Sequence, residues 1–133
     1  INSSILGAEK EIIDEKLEVI FDFAELKDFM DVPIKRFSTG MEARLGFSMG
    51  IFLPSEILLL DELLATIDGN FREKCINKLA SPKFLKTLIF VSHNLDLVKR
   101  ICTKGAVLHK GKLVFSGNIE DSIFNYKEYL NKN

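Results

Sequence analysis

The chain has 133 residues, a formal net charge of −1 and 47% hydrophobic residues. This length suits a single domain, and the apolar share is that of a globular protein rather than a disordered one. Lysine and arginine are mixed with aspartate and glutamate, so no basic stripe predicts nucleic-acid binding. No apolar run reaches the ~20 residues that span a bilayer, and the chain does not begin with a secretory signal pattern. We therefore expect a cytosolic protein.

The two cysteines, Cys75 and Cys102, are too few and too far apart for a zinc cluster or a redox pair. We expect both to be free thiols in the core, where cysteine behaves as a small apolar residue.

The first third of the chain has a helical pattern. Residues 8–24 place apolar side chains at helical spacing between charged ones, which predicts an amphipathic helix. A shorter helix or turn follows at residues 25–31. It stops before Pro33, because the residue that precedes a proline disfavours helical backbone.

The next predicted helix begins at Ser38 or Thr39 and ends near Phe52. Either hydroxyl can cap the helix, and Thr39 with Glu42 fits the spacing of a capping box.

Two apolar runs, at residues 57–60 and 88–91, predict strands that are buried on both faces of a parallel sheet. A helical pattern at residues 70–79 lies between them. A short helix is predicted at residues 95–101, with Asn94 as its cap.

The last part of the chain predicts a hairpin and a tail helix. Residues 106–109 and 112–115 alternate on either side of Lys110 and Gly111, a two-residue hairpin signal. Residues 120–130 form an amphipathic helical pattern. The order of elements predicts an α/β fold with a leading helical subdomain.

Three short motifs follow one another along the chain: FSTGMEARLGFSMG at residues 37–50, ILLLDE at residues 57–62 and VSHN at residues 91–94. Each motif alone is weak, because Ser/Thr-Gly is ordinary capping chemistry and an Asp-Glu pair often ends a strand in a surface salt bridge. In this order and at these spacings they resemble the second half of an ATP-binding-cassette (ABC) ATPase domain. Its signature motif, Walker B strand and switch histidine would be these three segments.

The resemblance can be narrowed to one subfamily. FSTGM at residues 37–41 is similar to the aromatic-Ser-Ser-Gly-Met signature of ABC ATPases that export O-antigen, capsule or teichoic acid. DELLATID at residues 61–68 is similar to their Asp-Glu-Val-Leu-Ala-Val-Gly-Asp. The resemblance extends from about residue 9 to about residue 117.

The sequence contains no G-x-x-x-x-G-K-[ST] motif, whose glycine loop and lysine hold nucleotide phosphates. It begins at Ile1 without an initiator methionine. We therefore expect a partial cassette domain, the C-terminal portion of a P-loop ABC ATPase. Residues 1–53 would be the helical subdomain with the signature, and residues 54–133 the Walker B half of a mainly parallel catalytic core with its tail helix.

The resemblance implies catalytic roles for residues at the carboxyl ends of the two strands, where parallel sheets gather functional groups. Asp61 would hold Mg²⁺ through a water molecule, since Mg²⁺ keeps much of its hydration shell. Glu62 would act as general base on the attacking water. His93 would hydrogen-bond the γ-phosphate of ATP and orient that water.

The resemblance also implies a second set of contacts, with the ATP held by a partner subunit. Ser38, Thr39, Gly40 and Met41 would bind it at the positive end of the helix dipole. Asp68 resembles the D-loop aspartate, which couples the two sites of a head-to-tail homodimer.

Two positions near these motifs leave questions open. Thr66 and Ile67 stand where the subfamily has Val-Gly, and β-branched residues disfavour a positive φ. Arg44 either braces the signature helix or is a solvated surface residue. His109 lies in the hairpin and receives no role.

The function implied is ATP hydrolysis that powers bacterial export of a polysaccharide or polyol-phosphate polymer, with the isolated fragment inactive. Its cofactors would be ATP and Mg²⁺. Its partners would be a second ATPase subunit and a transmembrane permease, with no nucleic acid. The protein would be cytoplasmic, peripheral on the inner face of the cell membrane through the permease alone.

Three alternatives remain open. The first is the ATPase of another ABC exporter, for drugs or lipids. The second is a non-transport ABC protein of DNA repair or chromosome structure, which coiled-coil heptads or a basic face would favour. The third is a module that only docks on partners.

Overall fold

The computed structural model describes residues 10–131. The five helices in this part are α1 Lys10–Phe23, α2 Thr39–Phe52, α3 Gly69–Leu79, α4 Leu95–Ile101 and α5 Ile119–Asn131. The four strands are β1 Ile57–Asp61, β2 Thr87–Val91, β3 Lys104–His109 and β4 Lys112–Asn118. Short 3-10 turns occur at Lys27–Phe29, Ile34–Arg36 and Leu63–Ala65. The predicted order of helices and strands is confirmed, while residues 8 and 9 of the first predicted helix lie outside the described residues.

The strands form two separate two-stranded sheets. β1 and β2 are parallel, with Ile57 opposite Thr87 and Asp61 opposite Val91. β3 and β4 form an antiparallel hairpin. The α/β fold class is therefore confirmed, and the parallel part of the predicted sheet is limited to β1 and β2 in the described residues.

The hairpin turn has the backbone that its sequence predicts. Lys110 has a φ of 48° and Gly111 a φ of 74°. A two-residue turn with two positive φ values matches the twist of the strands it joins.

Ser38 is the cap of α2. Its Oγ accepts a hydrogen bond from the Met41 N–H at 3.2 Å, and its own backbone is extended. The capping box predicted for Thr39 and Glu42 is wrong, because Thr39 is already the first helical residue and Met41 occupies the third helical position.

The interior contains two apolar clusters, and α2 lies between them. The helical cluster joins α1 and α2 with the turn before α2: Ile20, Phe21, Ala24, Leu26, Phe37, Leu45, Met49 and Leu53. The sheet cluster joins α2, β1, α3 and α4: Phe47, Ile51, Leu60, Leu64, Ile67, Phe71, Cys75, Ile76, Leu79 and Leu97. Because α2 buries residues in both clusters, it fixes the helical region against the sheet.

The β1–β2 sheet is covered on one face. Leu60 is 5% exposed, whereas the neighbouring Leu59 is 69% exposed. Ile57, Ile89 and Val91, which share the face of Leu59, are all more than half exposed. The expectation that both strands are buried on both faces is wrong for the described residues, because side chains alternate across a strand and the helices pack on one side.

Cys75 lies in the sheet cluster, where burial raises the pKa of its thiol to about 12. Cys102 is half-buried, and burial raises its pKa as well. Both are free thiols, but only Cys75 belongs to the core as expected.

Candidate functional site

Asp61, Glu62 and His93 lie at one edge of the β1–β2 sheet. β1 ends at Asp61, which pairs with Val91 at the end of β2, so the chain leaves both strands at the same edge. The Glu62 N–H then donates to the Val91 carbonyl at 3.1 Å. The predicted gathering of polar groups at the carboxyl ends of the strands is present for these residues.

Glu62 and His93 contact each other directly. The His93 backbone N–H donates to Glu62 Oε1 at 3.0 Å, and His93 Nδ1 lies 2.9 Å from the same oxygen. The side-chain hydrogen bond from His93 is the main cause that lowers the pKa of Glu62, so its carboxylate is ionised near neutral pH. The Glu62 side chain is 41% exposed and that of His93 is 79% exposed. A water molecule can therefore reach the carboxylate.

The Glu62 backbone is in the left-handed region, with a φ of 52° and a ψ of 2°. A non-glycine residue in this region costs ~1–3 kcal/mol and persists only where its surroundings fix it, and such residues cluster at functional sites. Here the hydrogen bonds to Val91 and His93 hold Glu62 in place. The sequence did not predict this conformation, because glutamate is not a residue that indicates a positive φ.

Asp61 is exposed at the end of β1. Among residues 10–131 no three His, Cys, Asp or Glu residues are grouped so that they could hold a metal ion by themselves. Nucleotide enzymes hold Mg²⁺ through one or two carboxylates together with phosphate oxygens and waters. Asp61 fits the role of such a single ligand.

Ser38, Thr39 and Gly40 are exposed at the N-terminus of α2, on a different element from Glu62 and His93. Helix geometry leaves the N–H groups of the first turn without intrahelical acceptors. Those of Met41 and Glu42 bond to the Ser38 side chain and carbonyl, at 3.2 and 2.9 Å. The N–H groups of Thr39 and Gly40 lie ahead of these two in the first turn, where an anion would approach.

Gly40 is not needed for the fold by any local criterion. Its φ is not positive, and a Cβ added there would meet only Ser38 Oγ, at the ordinary contact distance of 3.9 Å. Met41 differs from its neighbours, since its side chain is half-buried and packs on the helical cluster. Of the four predicted signature contacts, three are thus on the surface.

Asp68 caps α3, with its Oδ1 accepting from the Phe71 N–H at 3.1 Å. Its Oδ2 accepts from two nitrogens of Arg44, with Nε at 3.0 Å. The pKa of Asp68 is lowered, mainly by the hydrogen bond from the Phe71 N–H and next by the hydrogen bonds from Arg44. Thr66 has a φ of −88°, so the β-branched residues before Asp68 meet no demand for a positive φ.

Arg44 braces the signature helix, which settles the question that the sequence left open. It ion-pairs with Asp68 and, through Nη1, with Glu25 at 3.0 Å. Its guanidinium also lies 5.1 Å from the centroid of the Phe71 ring. Nothing in the local sequence could select these partners, because Glu25 and Asp68 are 19 and 24 residues away.

Lys86 is a residue that the sequence did not single out. Its Nζ donates to the carbonyls of Gly50 and Leu53 at the end of α2, at 2.8 and 2.6 Å, and to Ser55 Oγ at 3.0 Å. Desolvation by burial lowers the pKa of Lys86. This lysine satisfies carbonyls that a helix end leaves free, and it joins α2 to the start of β2.

No helix in the described part of the chain is long and apolar enough to cross a membrane. No protein-family model matches the sequence.

Three curated proteins of similar sequence carry the name "Teichoic acids export ATP-binding protein TagH". The protein of Bacillus anthracis is 40% identical over 129 residues, which are 96% of this chain and 24% of that protein. The Staphylococcus saprophyticus protein is 39% identical over 127 residues and the Staphylococcus haemolyticus protein 36% identical over 126 residues. In both cases the match covers 48% of the relative. The chain thus spans a quarter to a half of the relatives it matches.

The fold also resembles that of MJ1267, described as an ATP-binding cassette of an ABC transporter. Its ADP conformation superposes with a TM-score of 0.64 at 22% sequence identity, covering 88% of this chain and 46% of MJ1267. A second structure of the same protein gives a TM-score of 0.65. The chain is therefore homologous to a segment of the teichoic acid export ATP-binding proteins, and its fold is that of the C-terminal part of an ABC ATP-binding cassette.

Proposed function

We propose that this chain is the signature and Walker B half of an ATPase that powers export of a teichoic acid or a related polysaccharide from a bacterial cell. The observation that carries the proposal is the Glu62–His93 pair, held by hydrogen bonds of 2.9 and 3.0 Å just beyond Asp61. The 36–40% identity to TagH proteins supports the cargo class.

Glu62 is the proposed general base. Its ionised, accessible carboxylate can accept a proton from a water molecule that attacks the γ-phosphoryl group of ATP. His93 orients Glu62 through its N–H and imidazole, and its exposed ring is free to contact a phosphate. Asp61 would hold Mg²⁺, which when bound neutralises phosphate charge in phosphoryl transfer.

Ser38, Thr39 and Gly40 are proposed to contact the ATP of a second subunit, with Asp68 close to the same interface. Two observations support this proposal. The first turn of α2 is exposed, and the packing around position 40 does not require a glycine. The side chain of Met41 would pack on the helical cluster, and its backbone N–H would donate to the Ser38 cap of α2.

A cavity of about 540 Å³ suggests where a further strand belongs. It borders residues 88–92 of β2 and the segment after it, and residues 104–108 of β3. Within the described residues β2 pairs only with β1, and β3 only with β4, so each has an edge available. We propose that the strand leading into the phosphate-binding loop of the complete protein fills this cavity and joins the two sheets.

The exposed apolar face of the β1–β2 sheet fits the same proposal. Four aliphatic side chains on one face form a patch that a soluble protein rarely leaves in water. In the complete ATPase the helix that follows the phosphate-binding loop would cover it. The 133-residue chain alone is then expected neither to hydrolyse ATP nor to bind it tightly.

The proposed partners are a second ATPase subunit and a transmembrane permease. The complete protein would lie in the cytoplasm, on the inner face of the membrane, with the permease as its only membrane contact. Residues 1–53 would then be the subdomain that faces the permease, and residues 54–133 part of the catalytic core.

The test is Glu62→Gln in the complete protein. The amide keeps the shape of the side chain but cannot take the proton, so steady-state hydrolysis should fall on the order of a hundredfold or more. ATP binding should persist, and ATP should hold the dimer closed. Glu73→Gln is the matched control, because Glu73 is an exposed residue that pairs with Arg100 away from the site. Near-normal turnover in the Glu62→Gln variant would contradict the assignment.

A further inference from the structure

Two surfaces that are proposed to face the partner subunit belong to different elements. Ser38, Thr39 and Gly40 lie at the start of α2, and Asp68 lies just before α3. A side chain that connects α2 with Asp68 would fix the spacing between these surfaces.

Arg44 makes this connection. It lies on α2 and directs Nε and Nη2 to the same oxygen of Asp68, while Nη1 bonds to Glu25. The guanidinium also covers the ring of Phe71, which is fully buried. A planar donor group that is hydrogen-bonded at one edge and stacked on its face has little freedom to move.

Stability alone does not explain this arrangement. The Arg44 side chain is 26% exposed and that of Asp68 is 49% exposed. Ion pairs with this much solvent exposure contribute little to the free energy of folding. Asp68 already caps α3 through its other oxygen. The bond to Arg44 is therefore not needed for the cap, and it fixes the orientation of the Asp68 side chain relative to α2.

We propose that Arg44 is a positioning residue, which locks the signature end of α2 to Asp68 so that both reach the partner subunit's nucleotide in register. This inference rests on the proposed function. It predicts that loosening Arg44 disturbs closure of the dimer on ATP and leaves folding and nucleotide binding by the single subunit unchanged.

The test uses Arg44→Lys in the complete protein. Lysine keeps the charge but replaces the planar guanidinium by a compact ammonium group. It therefore cannot donate to Asp68 and Glu25 while stacking on the Phe71 ring in the same way. We expect turnover at saturating ATP to fall about tenfold, in the range of coupling between residues in contact. ATP-dependent dimerisation, measured by light scattering in a Glu62→Gln background, should weaken by a similar factor. The melting temperature and the affinity of the monomer for a fluorescent ATP analogue should not change.

Arg100→Lys is the matched control. Arg100 forms a bidentate ion pair with Glu73, with Nη1 3.0 Å from Oε1 and Nη2 2.8 Å from Oε2, and this pair joins α4 to α3. The same change at this similar pair should leave turnover and dimerisation as in the wild type.

A double-mutant cycle tests the route through Asp68. Asp68→Asn keeps an oxygen for the Phe71 N–H but removes the charge that Arg44 contacts. If Arg44 acts through Asp68, the two changes should not add: the double variant should dimerise and turn over ATP no less well than the more impaired of the two single variants.

The outcomes separate this inference from the proposed function. If the wild type hydrolyses ATP and Arg44→Lys matches it, Arg44 does not position the interface. If Arg44→Lys lowers the melting temperature and monomer affinity as much as dimerisation, its role is structural and the inference is wrong. If the wild type neither hydrolyses ATP nor dimerises with it, the proposed function fails and this inference fails with it.

Discussion

The helical region, residues 10–53, and the β1–β2 sheet bury their apolar residues in different ways. α1 and α2 close on each other, and the eight residues of the helical cluster are all buried. In the sheet, Leu58 and Leu60 face the core, whereas Ile57 and Leu59 face outward on the same strand. Two amphipathic helices can satisfy each other, but a parallel sheet with helices on one side leaves its other face uncovered.

The proposed activities divide in the same way. The signature residues lie on α2, which is buried from two sides, and the Glu62–His93 pair lies at the edge of the half-covered sheet. The signature end therefore belongs to a helix that is packed on two sides, whereas the Glu62–His93 pair lies beside a sheet face that the described residues leave exposed.

The largest expected effect compares the two faces of β1. In the 133-residue chain, Leu60→Ala should lower the free energy of unfolding by about 2–5 kcal/mol, because it leaves a cavity in the sheet cluster. Leu59→Ala should change it by less than ~0.5 kcal/mol, since this side chain is already in water. Urea unfolding followed by circular dichroism measures both. Equal losses would mean that both faces are buried in solution and would remove the contrast between the two regions.

The next effect concerns self-association through the open face. We expect the 133-residue chain to associate and to bind a hydrophobic dye, since an exposed apolar sheet face with available strand edges favours contact between copies. The double variant Leu59→Asp with Ile89→Lys should shift light scattering toward the 15.1 kDa monomer. Val19→Asp, at an exposed valine of α1, is the control and should not. A wild-type monomer that binds no dye would show the prediction to be wrong.

A smaller effect on stability is expected at the signature end. Gly40→Leu should change the free energy of unfolding by no more than about 1 kcal/mol, because the position has room for a side chain and a negative φ. In the complete protein it should nevertheless prevent ATP-driven dimerisation by blocking the helix N-terminus. Gly46→Leu is the control on the same helix, where nothing lies within 4 Å of an added Cβ. If Gly40→Leu impairs folding and dimerisation equally, Gly40 serves the fold alone.

The smallest effect is a pH dependence that arises where the two regions meet. The pKa of Asp68 is lower in the folded protein than its ordinary value, so its stabilising contribution is present above the unfolded pKa of about 4 and is lost as the pH falls through the folded pKa. Asp68→Asn should therefore make the melting temperature fall less steeply as the pH is lowered from about 5 to about 2. Asp14→Asn, at an exposed position of α1, is the control. An unchanged slope in Asp68→Asn would mean that its bonds to Phe71 and Arg44 do not persist in solution.

Local sequence determined much of this protein. The Asn94 cap, the turn at Lys110 and Gly111 and the order of helices and strands were predictable, because each depends on residues a few positions apart. The motif residues Asp61, Glu62 and His93 were identified by resemblance to a known family, and the parallel pairing of β1 with β2 explains why they share an edge.

Only the tertiary structure decided the rest. Glu62 takes a left-handed backbone and bonds to a histidine 31 residues away, and Arg44 selects an aspartate 24 residues away. The alternation of Leu59 and Leu60 between water and core depends on which side of the sheet the helices cover. Short-range patterns fix backbone hydrogen bonds and the spacing of apolar residues, whereas partners at long range and the exposure of a sheet face are set by how the finished elements pack.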